Sequence, residues 1–280
     1  MTKKIAFQGS FGAHSDLACR QFYPDLETVE CVSFTEIFEK VENNEVDFGM
    51  IPFENSYAGR VAEIHNLLQD YHISIVSEHF CAIRHHLAAP KGTKITDITD
   101  VYSHPQALMQ CRKSLINLGI QTNNSSNTAH AAQMVGQEND KSKAALCSKL
   151  AAQINGLEII QKDLQDDKEN NFTVFLVISK KASDPNEDEG KVITALLFTI
   201  RNIPASLYKA LGGFATNNVN ILKLESYIPG GVSRQAKFFI SIEGHPQNRD
   251  VSLALEELGF FSKKVKVLGI YHADAKRFEE

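Results

Sequence analysis

Short apolar runs alternate with segments whose apolar residues stand three and four apart over roughly the first two thirds of the chain. The runs predict strands at 4–8, 27–32, 46–51, 101–103, 143–147 and 158–161, and a buried strand at 172–178. The spaced segments predict helices over 13–22, 34–41, 105–118, 129–136 and 148–155. Ile37, Phe38 and Val41 mark the second of these, and Leu108, Cys111 and Leu115 the third. Residues 73–89 carry β-rich runs on both sides of His85-His86. Strand-then-helix alternation of this kind predicts the α/β class with a largely parallel sheet. Helices are expected to begin at polar turns near Gly12, Ser56, His104 and Thr128. If these converge on one cleft, their N–H groups and dipoles favour an anion there.

The pattern changes at 180–191, KKASDPNEDEGK, which lacks any large apolar residue and reads as a linker. Beyond it come strand 192–200, helix 204–216, strands 219–227 and 235–243, helix 247–258 and strand 264–271. That order is a ferredoxin-like βαββαβ unit. It carries no obvious catalytic set, and interaction or regulation is its default role.

The chain has 280 residues, 43% of them hydrophobic, which is enough for one large or two ordinary cored domains. A formal net charge of −5 with mixed signs argues against nucleic-acid binding. Local positive groups must therefore supply any attraction for an anionic substrate. Five scattered cysteines with no CxxC fit neither a disulfide framework nor a zinc ribbon, and point to a reducing compartment. No secretory leader and no apolar run near 18 residues is visible, so a soluble, cytoplasmic protein with no membrane partner is expected.

Two stretches carry candidate chemistry. Asn171-Phe172-Thr173-Val174-Phe175 puts an amide and a hydroxyl at the mouth of a buried strand, where open α/β sheets meet ligands. Its local pattern is equally that of an ordinary strand entrance. Pro52 to Val61 reads as a polar loop at the end of the third strand, feeding a helix that bears Ile64, Leu67 and Leu68. A capped turn reads the same way. Cys81 and His85 would share a strand face, but no third metal ligand is evident, and adjacent histidines face opposite ways.

Together these segments resemble the prephenate dehydratase family along nearly the whole chain. The family's Gly-x-x-Gly-x-x-Ser turn is matched by Gly9, Gly12 and Ser15. Its Pro-Ile-Glu-Asn-Ser…Gly-x-Val loop is matched by Pro52, Glu54, Asn55, Ser56, Gly59 and Val61, with Phe53 for Ile. Its Ser-His-Pro-Gln-Ala-Leu-x-Gln-Cys segment runs unbroken from Ser103 to Cys111, and Thr128 to Ala132 matches Thr-Ala-x-Ala-Ala. Its Asn-x-Thr-Arg-Phe motif is Asn171 to Phe175, with Val174 in place of the arginine. The C-terminal unit is similar to the ACT regulatory domain. There Ala205-Ser206-Leu207 stands for Gly-Ala-Leu, and Glu225-Ser226-Tyr227, then Ile228-Pro229, for Glu-Ser-Arg-Pro.

The resemblance implies an α/β fold: a two-lobed catalytic domain over 1–179, like a type II periplasmic binding protein, with the site between the lobes. Lobe 1 would hold about 1–80 and 172–179, lobe 2 about 81–171. The linker 180–191 and an ACT domain over 192–280 would follow. It implies conversion of prephenate to phenylpyruvate, water and CO2 without metal or cofactor, with Thr173 catalytic. Ser15, Glu54, Asn55, Ser56, Ser103, Gln106, Asn171 and Phe175 would bind substrate. Arg60 is our candidate for the missing cation. Phenylalanine would bind at an ACT–ACT interface through Ala205, Ser206, Leu207, Glu225 and Ser226, in a homodimer or homotetramer. Arogenate dehydration, or a non-catalytic ACT-linked sensor, is the alternative.

Overall fold

The computed structural model describes residues 2–201, 203–227 and 236–279. The strands are β1 (Lys4–Gln8), β2 (Glu27–Cys31), β3 (Phe48–Asn55), β4 (Gly59–Arg60), β5 (Ser74–Ala82), β6 (His86–Ala89), β7 (Asp100–Ser103), β8 (Gln121–Asn124), β9 (Lys143–Cys147), β10 (Glu158–Gln161), β11 (Phe172–Ser179), β12 (Val192–Ile200), β13 (Ile221–Tyr227), β14 (Lys237–Glu243) and β15 (Ser262–His272). The helices are α1 (His14–Phe22), α2 (Phe34–Glu42), α3 (Ala62–Asp70), α4 (Pro105–Gln110), α5 (Arg112–Leu118), α6 (Thr128–Glu138), α7 (Lys149–Ile154), α8 (Ser206–Thr216) and α9 (Arg249–Phe261).

Two compact units emerge from the packing. One takes Met1–Lys40, Val46–Val61 and Phe80–Phe175; the other takes Val41–Glu45, Ala62–His79 and Leu176–Glu280. Strands β5 and β11 run from one unit into the other. Their sheet has the order β2-β1-β3-β11-β5, with β4 paired to β3. Strand β1 is parallel to both β2 and β3, as βα alternation requires. Ile5, Ala6, Phe7, Met50 and Ile51 are fully buried along its centre. A second sheet in the first unit has the order β10-β6-β9-β7-β8. Here β7 lies parallel to β8 and β9, while β6 lies antiparallel to β9 and β10. Leu87, Val101, Cys111, Leu115 and Leu146 build its core on one face, and Ala131, Ala132, Val135 and Ala152 on the other.

The second unit holds a four-stranded antiparallel sheet, β13-β14-β12-β15. With α8 and α9 this is the ferredoxin-like arrangement the sequence predicts. Leu196, Phe198, Phe214, Phe238, Ile240 and Leu258 form its core. Gly213 lets α8 approach α9 closely, because a Cβ there would stand 2.7 Å from Glu257 Cβ. In the same unit, Lys266 Nζ donates to the carbonyls of Leu68, Gln69 and Tyr71 at 2.8–3.1 Å. An ammonium at the C-terminal carbonyls of α3 complements that helix's dipole.

Several expectations change. The third strand does not end at Pro52 but runs to Asn55, and Gly59-Arg60 folds back on it, with Glu54 opposite Arg60 and Asn55 opposite Gly59. The expected loop is thus a hairpin, and Arg60 lies in a strand rather than at a helix start. Pro52 is tolerated because pairing with β1 ends at Met50. The helix expected over 105–118 breaks at Cys111, where φ is −112° and ψ 15°. Asp166 caps its second half, accepting from Lys113 N at 3.1 Å and Ser114 N at 3.3 Å. Strand β8, Gln-Thr-Asn-Asn, is polar and gave no apolar signal. Helix α8 begins at Ser206 rather than Pro204, after Ala205 in the left-handed region at φ 59°. The expected strand over 235–243 starts at Lys237; Gln235, like Ile228 and Pro229, lies outside the described residues.

Candidate active site

A cavity of about 440 Å³ opens in the first unit. Helix beginnings supply much of its wall: His14 and Ser15 of α1, His104 and Gln106 at α4, and Asn127 and Thr128 at α6. The convergence expected at Gly12, His104 and Thr128 is therefore present, while Ser56 sits in the hairpin turn instead. Each terminus is built locally. Asp16 is fully buried and accepts from Gly12 N and from Arg20 Nε, both at 2.8 Å. Asn127 Oδ1 accepts from His130 N at 2.7 Å. His104 precedes Pro105, and its Nδ1 accepts from Gln106 N at 3.3 Å. Gly12 is at φ 91°, and a Cβ on it would stand 2.6 Å from Ala151 Cα. Only glycine lets the α1 turn meet α7 so closely, and Ser148 Oγ donates to Gly12 O there at 2.6 Å.

The hairpin and β11 supply the rest. Asn55 is the hub. Its Oδ1 accepts from Tyr57 N and Ala58 N at 3.0 and 2.9 Å. Backbone N–H groups only donate, so the other end of the amide must be its NH2. Asn55 Nδ2 donates to Phe172 O and Thr173 Oγ1, both at 3.0 Å, and lies 3.4 Å from Asn171 Oδ1. Thr173 is buried and lines the cavity, with Phe175 beside it on the same strand face. Because Thr173 Oγ1 accepts from Asn55, its own hydrogen is directed elsewhere. The geometry leaves it to a group in the cavity.

The remaining expected residues divide. Ser15, Asn55, Arg60, Gln106, Thr173 and Phe175 line the cavity. Ser56 holds the strand entrance instead, donating to Asn170 O at 2.6 Å and accepting from Phe172 N at 3.1 Å. Ser103 is fully buried and gives its hydroxyl to Leu146 O at 2.6 Å. Glu54 lies in the hairpin opposite Arg60 and outside the cavity wall. Asn171 is buried, its Nδ2 donating to Gln110 Oε1 at 3.0 Å. Val174 is buried on the opposite strand face from Thr173, so an arginine there would not have shared the threonine's direction.

Sequence reasoning missed three residues. His14, His85 and Gln110 line the cavity, and His85 Nε2 stands 3.0 Å from Gln110 Oε1. Burial pushes the His85 imidazole down to about 3, and the neighbouring His14 pushes the same way. Burial also lowers His14. Both rings are neutral at physiological pH. The visible signal was the β-rich context of His85-His86, where the sequence offered no third metal ligand and the histidines read as satisfied or exposed side chains. Among the described residues no group of three His, Cys, Asp or Glu side chains could hold a metal ion.

The expected effector residues lie in the second unit. Ser206 is buried at the first turn of α8, Leu207 packs on the module's core, and Ser226 is exposed on β13. Glu225 is engaged inside its own unit: His65 Nε2 lies 2.8 Å from its Oε2 and Lys223 Nζ 3.0 Å from its Oε1. His65 is itself buried, edge-on to Tyr227 and Phe239.

Fold and site define a class: an α/β small-molecule site, rich in neutral hydrogen-bonding groups and helix N-termini, on a chain with a C-terminal ferredoxin-like module. The family model for prephenate dehydratase matches residues 5–183. A bifunctional N-acyl-homoserine lactone acylase/prephenate dehydratase of Komagataeibacter europaeus is 40% identical over 98% of this chain and 97% of its own. Arogenate dehydratase/prephenate dehydratase 2 of Arabidopsis thaliana is 36% identical over 97% of this chain and 73% of its own. The solved prephenate dehydratase of Arthrobacter aurescens in complex with L-Phe superposes with a TM-score of 0.89, at 26% identity, covering 99% of this chain and 92% of that one. The chain belongs to the prephenate dehydratase family and is an enzyme of the carbon–oxygen lyase class.

Glu225 gives a pH dependence. Its hydrogen bond from His65, then that from Lys223, holds the carboxyl down to about 2. A carboxyl lowered on folding adds stability above its ordinary value, and that stability is lost as pH falls toward the folded value. Glu225→Gln is expected to cost on the order of 1–3 kcal/mol at pH 7. The difference from the parent should shrink steadily between about pH 4.5 and pH 2. Urea melts of both proteins across that range check it.

Proposed function

We propose that this enzyme converts prephenate to phenylpyruvate by decarboxylative dehydration, and that phenylalanine regulates it. The observation that carries the reading is Thr173: a cavity-lining hydroxyl made to donate by the Asn55 amide 3.0 Å away. In this elimination the bond from ring to carboxylate breaks as CO2 leaves. Its electrons move through the diene and expel the ring hydroxyl, which takes a proton to become water. Aromatisation drives the step, so no electron sink is needed. The protein must hold the dianion, hydrogen-bond the departing oxygen and keep out bulk water.

Each task has candidates. The N-termini of α1 and α6 offer backbone N–H groups and dipoles, together worth about 1–2 kcal/mol to an anion. Arg60 lines the same cavity and offers a bidentate guanidinium to a carboxylate. Phe175 and Ile83 give the ring an apolar surface. An aliphatic hydroxyl is a poor general acid at neutral pH, so Thr173 acts by hydrogen-bonding oxygen as negative charge develops on it.

Regulation rests on the C-terminal module and on the L-Phe complex of the Arthrobacter protein. The start of α8 can receive an amino-acid carboxylate. Glu225 can receive the ammonium only by exchanging a partner, since His65 and Lys223 already hold it. Assembly as a homodimer or homotetramer belongs to the proposal, and the exposed Tyr208 and Leu224 beside these residues support it. A reducing, cytoplasmic location belongs to it too, supported by five scattered, buried cysteines with no CxxC among them.

Three outcomes check this reading. Thr173→Ala should lower kcat on prephenate by about two to three orders of magnitude, with Thr173→Ser keeping far more. A folded Thr173→Ala enzyme near the parent rate would remove the residue from the chemistry. Arg60→Ala should raise KM more than it lowers kcat, and Arg60→Lys should also weaken binding because the fork is lost. An unchanged KM would take Arg60 out of the site. Saturating phenylalanine should raise the melting temperature and reduce turnover; if it does neither, the module is structural or senses another ligand.

A further inference from the structure

Helix α3 follows the active-site hairpin in the chain but packs with the C-terminal module. Residues Ala62–His79 belong to the second unit, while Val61 and the hairpin before it belong to the first. No loop separates the two. Gly59–Arg60 is β4, Val61 N donates to Phe53 O at 3.0 Å, and α3 starts at Ala62. Asn55 and Arg60, which line the cavity, therefore sit on a hairpin that runs directly into this helix. A helix is a stiff element, so a shift of its first turn reaches the residues joined to it.

Strands of the module hold α3 at both ends. At its C-terminal end, Lys266 of β15 donates to three backbone carbonyls and Lys237 of β14 to Gln69 Oε1. At its first turn the contact is with β13. His65 Nε2 lies 2.8 Å from Glu225 Oε2, and Tyr227 OH lies 3.5 Å from His65 O. His65 is 1% exposed, its ring edge-on to Tyr227 and Phe239. Glu225 is ionised, so the hydrogen between the two side chains belongs to Nε2.

The Glu225 carboxylate thus has two sides. Oε2 is buried against His65. A ligand can approach only from the other side, where Oε1 stands 3.0 Å from Lys223 Nζ and the side chain keeps 19% of its surface. An incoming ammonium exchanges with Lys223, and His65 stays in place. If Glu225 moved without His65, a buried carboxylate oxygen would be left unmet, so the two move together. Glu225 and Ser226 are the β13 positions expected to meet the effector, and among the described residues His65 is the α3 side chain paired with one of them.

We propose that His65 is a positioning residue that carries effector binding from Glu225 to the active-site hairpin, with α3 as the stiff arm. This rests on the reading of the module as a phenylalanine sensor and names the route by which its signal leaves it. The ligand shifts the carboxylate, and His65 passes the shift to the first turn of α3. Arg60 and Asn55 respond because α3 continues the hairpin that bears them. His65 itself touches neither substrate nor effector.

The test compares the parent, His65→Phe and His65→Gln. The phenyl ring keeps the packing on Tyr227 and Phe239 and removes the N–H; the glutamine amide restores a donor near the Nε2 position. Calorimetry gives the affinity for phenylalanine, and kcat/KM on prephenate is measured with and without saturating phenylalanine. The parent should lose about fivefold or more in kcat/KM when phenylalanine is bound. His65→Phe should bind phenylalanine within about tenfold of the parent, keep its uninhibited kcat/KM within about threefold, and lose no more than about twofold to the effector. His65→Gln should regain most of the inhibition. Inhibition of His65→Phe as deep as that of the parent would overturn the assignment. So would loss of binding together with inhibition, the mark of a merely structural role, or a parent that binds phenylalanine and is not inhibited.

A parent that binds no phenylalanine would sink the regulatory reading instead, and hydrogen–deuterium exchange then decides the relay by itself. Coupling between two sites is reciprocal, so saturating phenylpyruvate in the cavity should change exchange over residues 221–227 in the parent and not in His65→Phe. No change in the parent would overturn the relay, and that arm needs no folded variant.

Discussion

One amide sets the chemistry of this site. Asn55 Oδ1 is claimed by two backbone N–H groups of the hairpin turn, and that single constraint decides which way everything beyond it points. It makes Asn55 Nδ2 a donor to the Phe172 carbonyl and the Thr173 hydroxyl. It turns Thr173 into a donor toward the cavity. Beyond it Asn171 donates to Gln110 Oε1, which also meets His85 Nε2 at 3.0 Å. A buried network like this is costly when half satisfied and rigid when complete. Rigidity is what a hydrogen bond aimed at developing charge needs, since it then costs no reorganisation during the reaction.

The same wiring reconciles an acidic chain with anionic substrates. The formal net charge is −5, yet among the described residues no carboxylate lines the cavity. Asp16 is drawn behind the α1 turn by Gly12 N and Arg20, and Glu54 lies outside the wall. Neutral amides, neutral imidazoles and helix N-termini face inward, with Arg60 as the cation. Such a site favours dianions through local dipoles and excludes the like charge that would repel them. Decarboxylative aromatisation asks for little else, since the leaving CO2 supplies the electrons and the new aromatic ring the driving force.

Much of this was legible in the sequence, and the failures have physical causes. The α/β order, the ferredoxin-like unit and the helix starts at Gly12, His104 and Thr128 follow from apolar period and turn chemistry. Thr173 and Asn55 stood out through motif context. The Pro52–Val61 stretch misled because a proline inside a strand reads as its end, and a two-residue return strand has no period of its own. The break at Cys111 depends on Asp166, a cap supplied from more than fifty residues away, which no local pattern reports. Ser103 and Ser56 carry polar groups that look available for substrate in one dimension, yet fold onto the Leu146 and Asn170 carbonyls. His85 was missed for the converse reason. It lines the cavity beside His14 and Gln110, and only the fold brings those partners together.

The central claim is that Asn55 and Thr173 act as one unit. A double-mutant cycle in kcat on prephenate, using Asn55→Ala, Thr173→Ala and the pair, measures this directly. If Asn55 works by aiming the threonine hydroxyl, the double variant should be no slower than Thr173→Ala by more than about threefold, since nothing remains to be aimed. Losses that multiply would mean that the two residues contribute independently, and would contradict the claim that Asn55 acts through Thr173.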